Sequence, residues 1–224
     1  MRSGAGMLSP RLQNIYQCIV PGRPLWDIGC DHGYLGLQAF ATGLCEPVHL
    51  VDRSALVIGQ LRQRVEQSWP KGPGVGLQIC HCDAEKDELS VRGGTAVLAG
   101  LGLWTILRIV DCQFPQGPPK GTRLVLACVL KEEQLRVQLR RRGWFLQHEE
   151  LFAENGHVRQ LLACQASGEP LEPFWNDSDC SRDNGLWPTY LAERRLYFSV
   201  SQSSEPDLVY LKQALQQRFG LEKK

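Results

Sequence analysis

The 224-residue chain lacks any run of about 18 or more apolar residues, so no segment of it can cross a bilayer as a helix. It also lacks a surplus of charge. Its 25 Lys and Arg stand against 24 Asp and Glu, a formal net charge of +1, which excludes an unaided, histone-like electrostatic grip on nucleic acid. No Gly-x-Gly-x-x-Gly string opens a candidate helix, so the usual pyrophosphate-binding turn is missing. No apolar core segment stands between Met1 and Pro10, and the nine cysteines are odd in number and scattered singly. A reduced, cytoplasmic protein whose cysteines act as small core hydrophobes is expected. What is present is ordinary globular material. With 43% hydrophobic and 22% charged residues, disorder, collagen-like repetition and coiled-coil rods are excluded, and a large core can be buried.

Leu8, Leu12, Ile15, Tyr16 and Ile19 recur at helical spacing, with Ser9 as N-cap and Pro10 in the first turn. Short apolar runs follow at 25–29, 48–52, 75–80, 95–99 and 123–127, alternating with helical stretches at 34–40, 55–65, 103–110 and 131–142. Residues 144–146 and 158–164 read as two strands of a hairpin turning at Glu154-Asn155-Gly156. This alternation predicts an α/β fold with a parallel sheet, right-handed crossovers and helices on both faces, and a ligand outside the carboxyl ends of the central strands. Five parallel units closed by an antiparallel hairpin resemble the Rossmann-like class I sheet of the S-adenosylmethionine-dependent methyltransferases. That domain is expected over 1–165. Beyond it Gly168, Pro170 and Pro173 break the chain, and amphipathic stretches at 189–198 and 208–219 predict a small helical extension over 166–224.

The chemistry-bearing residues gather at the predicted strand ends. In Asp27-Ile28-Gly29-Cys30-Asp31-His32-Gly33-Tyr34, Gly29 and Gly33 let the backbone approach a ligand, and the following helix offers free N–H donors. Asp27 and Asp31 would repel a pyrophosphate and suit a cationic or neutral nucleoside such as S-adenosylmethionine; the plain alternative is a strand–helix turn capped by Asp31. Asp52 is placed to take both ribose hydroxyls, or is a surface acid beside Arg53. Asp83 suits an adenine amino group, or belongs to the solvated charge run at 83–88. Gly100-Leu101-Gly102 leaves room for a flat base, or is turn punctuation. Arg136 and Arg140 share a helix face that is either solvated or a phosphate-contact patch. In Cys80-His81-Cys82, strand alternation separates His81 from the two cysteines and no second ligand pair stands at finger spacing, so no metal is expected.

Five strings, Leu8-Ser9-Pro10-Arg11-Leu12, Asp27-Ile28-Gly29-Cys30-Asp31-His32-Gly33-Tyr34-Leu35, Ala99-Gly100-Leu101-Gly102, the stretch from Leu135 to Trp144, and Glu154-Asn155-Gly156, resemble in order the TrmK family of tRNA (adenine(22)-N(1))-methyltransferases. The resemblance runs from about Leu8 to Cys164, and its most specific element is the Asp-Ile-Gly-x-Asp-His-x-Tyr-Leu string, whose His after the second Asp is not general to methyltransferases. It implies S-adenosylmethionine as cofactor, held by Asp27, Gly29, Cys30, Asp31, Gly33, Tyr34, Asp52, Arg53, Asp83, Ala84 and Gly100. It implies tRNA as partner, met by Leu101, Gly102, Arg136 and Arg140, with Asp31 and His32 as candidate catalytic groups. The chain departs from the family pattern at Leu103, where a glycine is usual, and at Ala127-Cys128-Val129-Leu130, where a Gln-Pro-Asn-like turn is usual. Two alternatives therefore stand beside tRNA methylation: another RNA or a small molecule as acceptor, or a module that binds cofactor or RNA without turnover. No membrane partner is expected, and the oligomeric state is open. Up to Arg142 there are 17 basic and 12 acidic residues, +5, and from Gly143 onward 8 and 12, −4. A basic catalytic half with an acidic tail facing away from RNA is the resulting expectation.

Overall fold

The computed structural model describes residues 8–129, 131–174, 185–200 and 205–219. Helix α1 (Pro10–Gln17) starts where expected, with the Ser9 hydroxyl accepting the Leu12 N–H at 3.4 Å. It is followed by β1 (Leu25–Ile28), α2 (Tyr34–Ala41), β2 (Val48–Asp52), α3 (Ala55–Ser68), β3 (Leu77–His81), β4 (Thr95–Ala99), α4 (Leu103–Gln113), β5 (Arg123–Ala127) and α5 (Glu132–Arg141). The chain closes with β6 (Phe145–Glu154), β7 (His157–Gln165), β8 (Glu169–Pro170), α6 (Trp187–Val200) and α7 (Pro206–Phe219). The sheet order is β3-β2-β1-β4-β5-β7-β6-β8; β1 to β5 are parallel, and β7 runs antiparallel to β5 and β6. This is the expected sheet. Strand order reverses between β1 and β4, which opens a crevice at their carboxyl ends.

Burial on both faces explains the apolar run of β5 and the near-continuous one of β1, which only the buried Asp27 interrupts. Helices α1 to α3 cover one face through Ile15, Leu37, Phe40, Leu61 and Val65, while α4 and α5 cover the other through Ile106, Leu107, Val110, Leu135 and Leu139. Helix α2 lies close on β2 because Gly36 has no side chain; a Cβ there would fall 2.2 Å from Leu50 Cδ2. The extension packs on α5, where Val137 meets Phe174, Phe198, Leu211 and Leu215. Among the described residues no helix is long and apolar enough to cross a membrane.

Three details differ from the sequence reading. β3 begins at Leu77, leaving Val75 92% exposed after Gly74. The first arm of the hairpin runs ten residues, not three, since Glu149 is buried there against Arg136 and so hides the strand pattern. The two-residue β8 pairs with Phe145 and Leu146 at the sheet edge. The hairpin turn itself is as expected, with Asn155 (φ 51°) and Gly156 (φ 76°) both in the left-handed region that a two-residue turn requires.

Candidate active site

Past β1 the chain turns through three left-handed residues, Gly29 (φ 74°), Asp31 (φ 48°) and Gly33 (φ 69°), before α2 begins. Such a conformation is costly for Asp31, which lacks glycine's freedom. Two bonds hold it: the Gly33 N–H donates to the Cys30 carbonyl at 2.7 Å, and the Asp31 N–H donates to Asp52 Oδ2 at 3.3 Å. The other Asp52 oxygen accepts the Ser54 N–H at 2.8 Å. A carboxylate has about four acceptor sites, so Asp52 still has capacity for a ligand.

Two cavities lie side by side over these turns and share Gly29, Asp52 and Leu101. The smaller, of about 150 Å³, has apolar walls from Ile28, Val51, Leu101 and Ile109 and polar edges from Asp52, Arg53 and Asp83. The larger, an open cleft of about 850 Å³, is lined by Asp27, Cys30, Asp31, His32, Tyr34, Gly100 and Leu101. Leu101 forms their common wall and lies over Gly29, where a Cβ would come within 3.2 Å of Leu101 Cδ2.

Asp27 is 6% exposed and accepts the Gly36 N–H at 3.1 Å. Burial pushes its pKa up to about 7 against that hydrogen bond, and the neighbouring Asp52 charge adds to the rise. A carboxylate so placed at a cavity wall is suited to a cation. Burial, with the charges of Asp27 and Asp52, also raises the Cys30 thiol, which stays protonated and serves as packing. Asp83 is held below the usual carboxylate range by Lys86 at 2.9 Å and by the Glu85 N–H at 3.2 Å. Glu85 in turn takes Arg53 at 3.4 Å and Arg108.

The expected cofactor residues therefore converge. Asp27, Gly29, Cys30, Asp31, Tyr34, Asp52 and Gly100 line the cleft, Arg53, Asp83 and Ala84 line the smaller cavity, and Gly33 caps α2 beneath them. Asp31 and His32 meet at the rim, 3.7 Å apart, with side chains 70% and 52% exposed. The acceptor-side residues divide. Leu101 lines both cavities, whereas Gly102 caps α4 without lining either.

Arg136 does not lie on the surface of α5. Its side chain is fully buried, bonded to Glu149 and to the carbonyls of Glu172 and Phe174, so it is part of neither a solvated face nor a phosphate-contact patch. Arg140 is exposed but paired with Glu172 at 3.4 Å, and Arg141 with Asp207 at 2.7 Å. The acids of the later half therefore neutralise α5, and the basic face expected there is occupied.

The cleft also takes residues that sequence reasoning left out of the site. Arg11 of α1 pairs with Glu154 at 3.3 Å, and its guanidinium lies 3.7 Å from the Cβ position of Gly100. Asn155 from the hairpin turn and Val129 past β5 complete the wall. The Leu8 to Leu12 and Glu154 to Gly156 strings were the available signal, and only the fold shows that they meet. Gln113, at the end of α4, binds the 83–89 loop through the Ala84 and Asp87 carbonyls at 2.8 and 2.7 Å and the Leu89 N–H at 2.8 Å. Among the described residues, no three His, Cys, Asp or Glu side chains gather where they could hold a metal ion.

Residues 8–162 match the family described as a methyltransferase domain. The chain belongs to that family. No curated protein matches this methyltransferase. Its fold is similar to a Streptococcus agalactiae protein of the NADB-Rossmann superfamily, 19% identical over 95% of this chain and 96% of that one, with a TM-score of 0.71. It is also similar to the B. subtilis m1A22 tRNA methyltransferase TrmK, 18% identical over 95% of each chain, TM-score 0.68. M. capricolum TrmK, solved with S-adenosyl-homocysteine, is 16% identical over 95% of this chain and 96% of its own, TM-score 0.68. These likenesses extend through the C-terminal helices of the methyltransferase, beyond the matched domain.

Proposed function

We propose that this methyltransferase uses S-adenosylmethionine to methylate N1 of an adenine in tRNA, at position 22. The observation that carries the reading is the pair of cavities joined at Gly29, Asp52 and Leu101: an apolar slot with an acidic edge, opening into a broader cleft at the carboxyl ends of β1 and β4. The two similar TrmK proteins, one holding S-adenosyl-homocysteine, support it.

The donor set fits the cofactor. Asp27 would hold its amino group, Asp52 the ribose hydroxyls and Asp83 the adenine edge, and the apolar walls Ile28, Val51, Leu101 and Ile109 would pack against the base. When bound, S-adenosylmethionine supplies an electrophilic methyl carbon whose bond to sulfur breaks as the adenine N1 lone pair attacks. The protein's part is then mainly orientation and exclusion of water. We assign to Asp31 and His32, at the cleft rim, the positive charge that the methyl leaves on the base, met either by the carboxylate directly or by acceptance of a proton from the base's amino group. N1 lies on the pairing edge, so the base must leave its stack to enter the cleft.

The test is incubation of the purified protein with S-adenosylmethionine and an unmodified tRNA transcript, followed by nucleoside mass spectrometry. The expected product is 1-methyladenosine, lost when position 22 is changed to guanine. A different methylated nucleoside, or none, overturns the assignment.

A further inference from the structure

Helix α4 fills the core with Leu103, Ile106, Leu107 and Val110, each at most 4% exposed, yet the residue after Leu103 is Trp104, 54% exposed. Core packing does not account for an indole on the solvent side of the first turn, since the buried face is complete without it. Its neighbours are cavity residues on both sides in sequence: Leu101 lines both cavities, and Thr105 lines the smaller one. The Lys131 ammonium stands 6.0 Å from the indole centroid. Lys131 is held there by a left-handed backbone (φ 66°) at the start of α5, just past Val129. Val129 lines the cleft, is 42% exposed and ties the two acceptor-side loops together, its N–H donating to the Leu101 carbonyl at 3.2 Å.

The opposite face of the sheet carries a matching arrangement. Tyr34, at the start of α2, is 43% exposed, with the Arg64 guanidinium 4.6 Å from its ring centre. Arg64 also donates to the His32 carbonyl at 3.3 Å. A strand crossing the carboxyl edge of β1 and β4 thus meets an aromatic ring with a cation on either side. Flat rings beside cations are the chemistry that binds unpaired nucleotides, one part stacking on the base and the other meeting the phosphate. Drawing one base out of an RNA stack deprives its neighbours of a partner, and an exposed indole replaces what they lose.

We propose that Trp104, with Lys131 beside it, is the platform on which an unpaired RNA base adjacent to the methyl acceptor stacks, making Trp104 a positioning residue for the RNA substrate. This rests on the tRNA reading above. The experiment compares the wild type with Trp104→Ala and Trp104→Phe, measuring the Kd for an unmodified tRNA transcript, KM and kcat for methylation, and the Kd for S-adenosylmethionine. Base stacking of ordinary strength predicts that Trp104→Ala raises the tRNA Kd and KM about 5- to 150-fold, with cofactor affinity and melting temperature unchanged. Trp104→Phe should recover most of the loss. Methylation by the wild type with the same tRNA Kd and KM in Trp104→Ala overturns this inference and leaves the function standing. No methylation, but tRNA binding that Trp104→Ala weakens, overturns the function and leaves the platform. A wild type that neither binds nor methylates tRNA overturns both.

Discussion

The backbone N–H of Asp31 donates to the carboxylate of Asp52 at 3.3 Å, so the acid that ends β2 also holds the turn that follows β1. The left-handed conformation of Asp31 is stabilised by a residue 21 positions away, and the cavity wall is a joint product of two strands. Replacing Asp52 by Ala removes that support together with the acceptor proposed for the ribose hydroxyls. Calorimetry should show S-adenosylhomocysteine binding weakened by at least about tenfold, the 1.4 kcal/mol expected for loss of a charge-assisted hydrogen bond. Affinity equal to wild type would mean that Asp52 supports the turn alone.

Asp27 gives the site a pH dependence whose sign can be worked out. Its pKa in the folded protein is raised from 3.8 to about 7, so between those values the folded state binds more protons than the unfolded one. Its contribution to the stability of the cofactor-free protein therefore declines as pH rises from about 4 to 7 and is constant above that. Asp27→Asn removes the penalty. The variant should melt higher than wild type at pH 8, with the gap narrowing toward pH 5, while binding cofactor at least about tenfold more weakly because the carboxylate proposed to face the amino group loses its charge. Wild-type cofactor affinity should rise with pH up to about 7, with proton release on binding measurable by calorimetry in buffers of different ionisation enthalpy.

The sheet and the turn after β1 were legible because their signals are local: apolar runs closed by Gly29, Asp52 or Gly100, and glycines where the backbone must be left-handed. Arg136 was not. On a helix with Glu132 and Glu133 before it and Arg140 to Arg142 after it, an arginine reads as solvated, and its burial depends on Glu149 and on carbonyls 36 and 38 residues away. The same holds for Glu132 and Glu133, buried beneath Arg194 of α6 at 3.1 Å each. Arg11 and Glu154 were visible only as parts of separate strings, because an ion pair spanning 143 positions leaves no periodicity in either.

The burial of Arg136 leads to a prediction about stability. Arg136→Ala leaves Glu149 as an uncompensated buried charge, a loss of about 3–5 kcal/mol, or roughly 10 °C in Tm for a chain of this size. The double variant Arg136→Met with Glu149→Leu should recover most of that, since it removes both charges and keeps the volume. Arg140→Ala, at an exposed pair, should shift Tm by no more than about 2 °C. Thermal melts of the four proteins check the series; a near-neutral Arg136→Ala would place the guanidinium in water.

Gln113 links the stability of α4 to the shape of the smaller cavity. Its side chain is 8% exposed and satisfies three backbone groups of the loop that carries Asp83 and Ala84. Leucine fills a similar volume but makes none of these bonds, and a buried polar group left unpaired costs about 1–3 kcal/mol. Gln113→Leu should therefore destabilise the fold by at least about 2 kcal/mol and speed amide exchange at 83–89 ahead of the rest of the sheet. Loosening that loop withdraws one wall from the smaller cavity, the proposed nucleoside slot, without touching the cleft. Cofactor KM should accordingly rise several-fold while kcat at saturating cofactor stays within about twofold of wild type. A fall in kcat with cofactor KM unchanged would place the loop's contribution on the acceptor side instead.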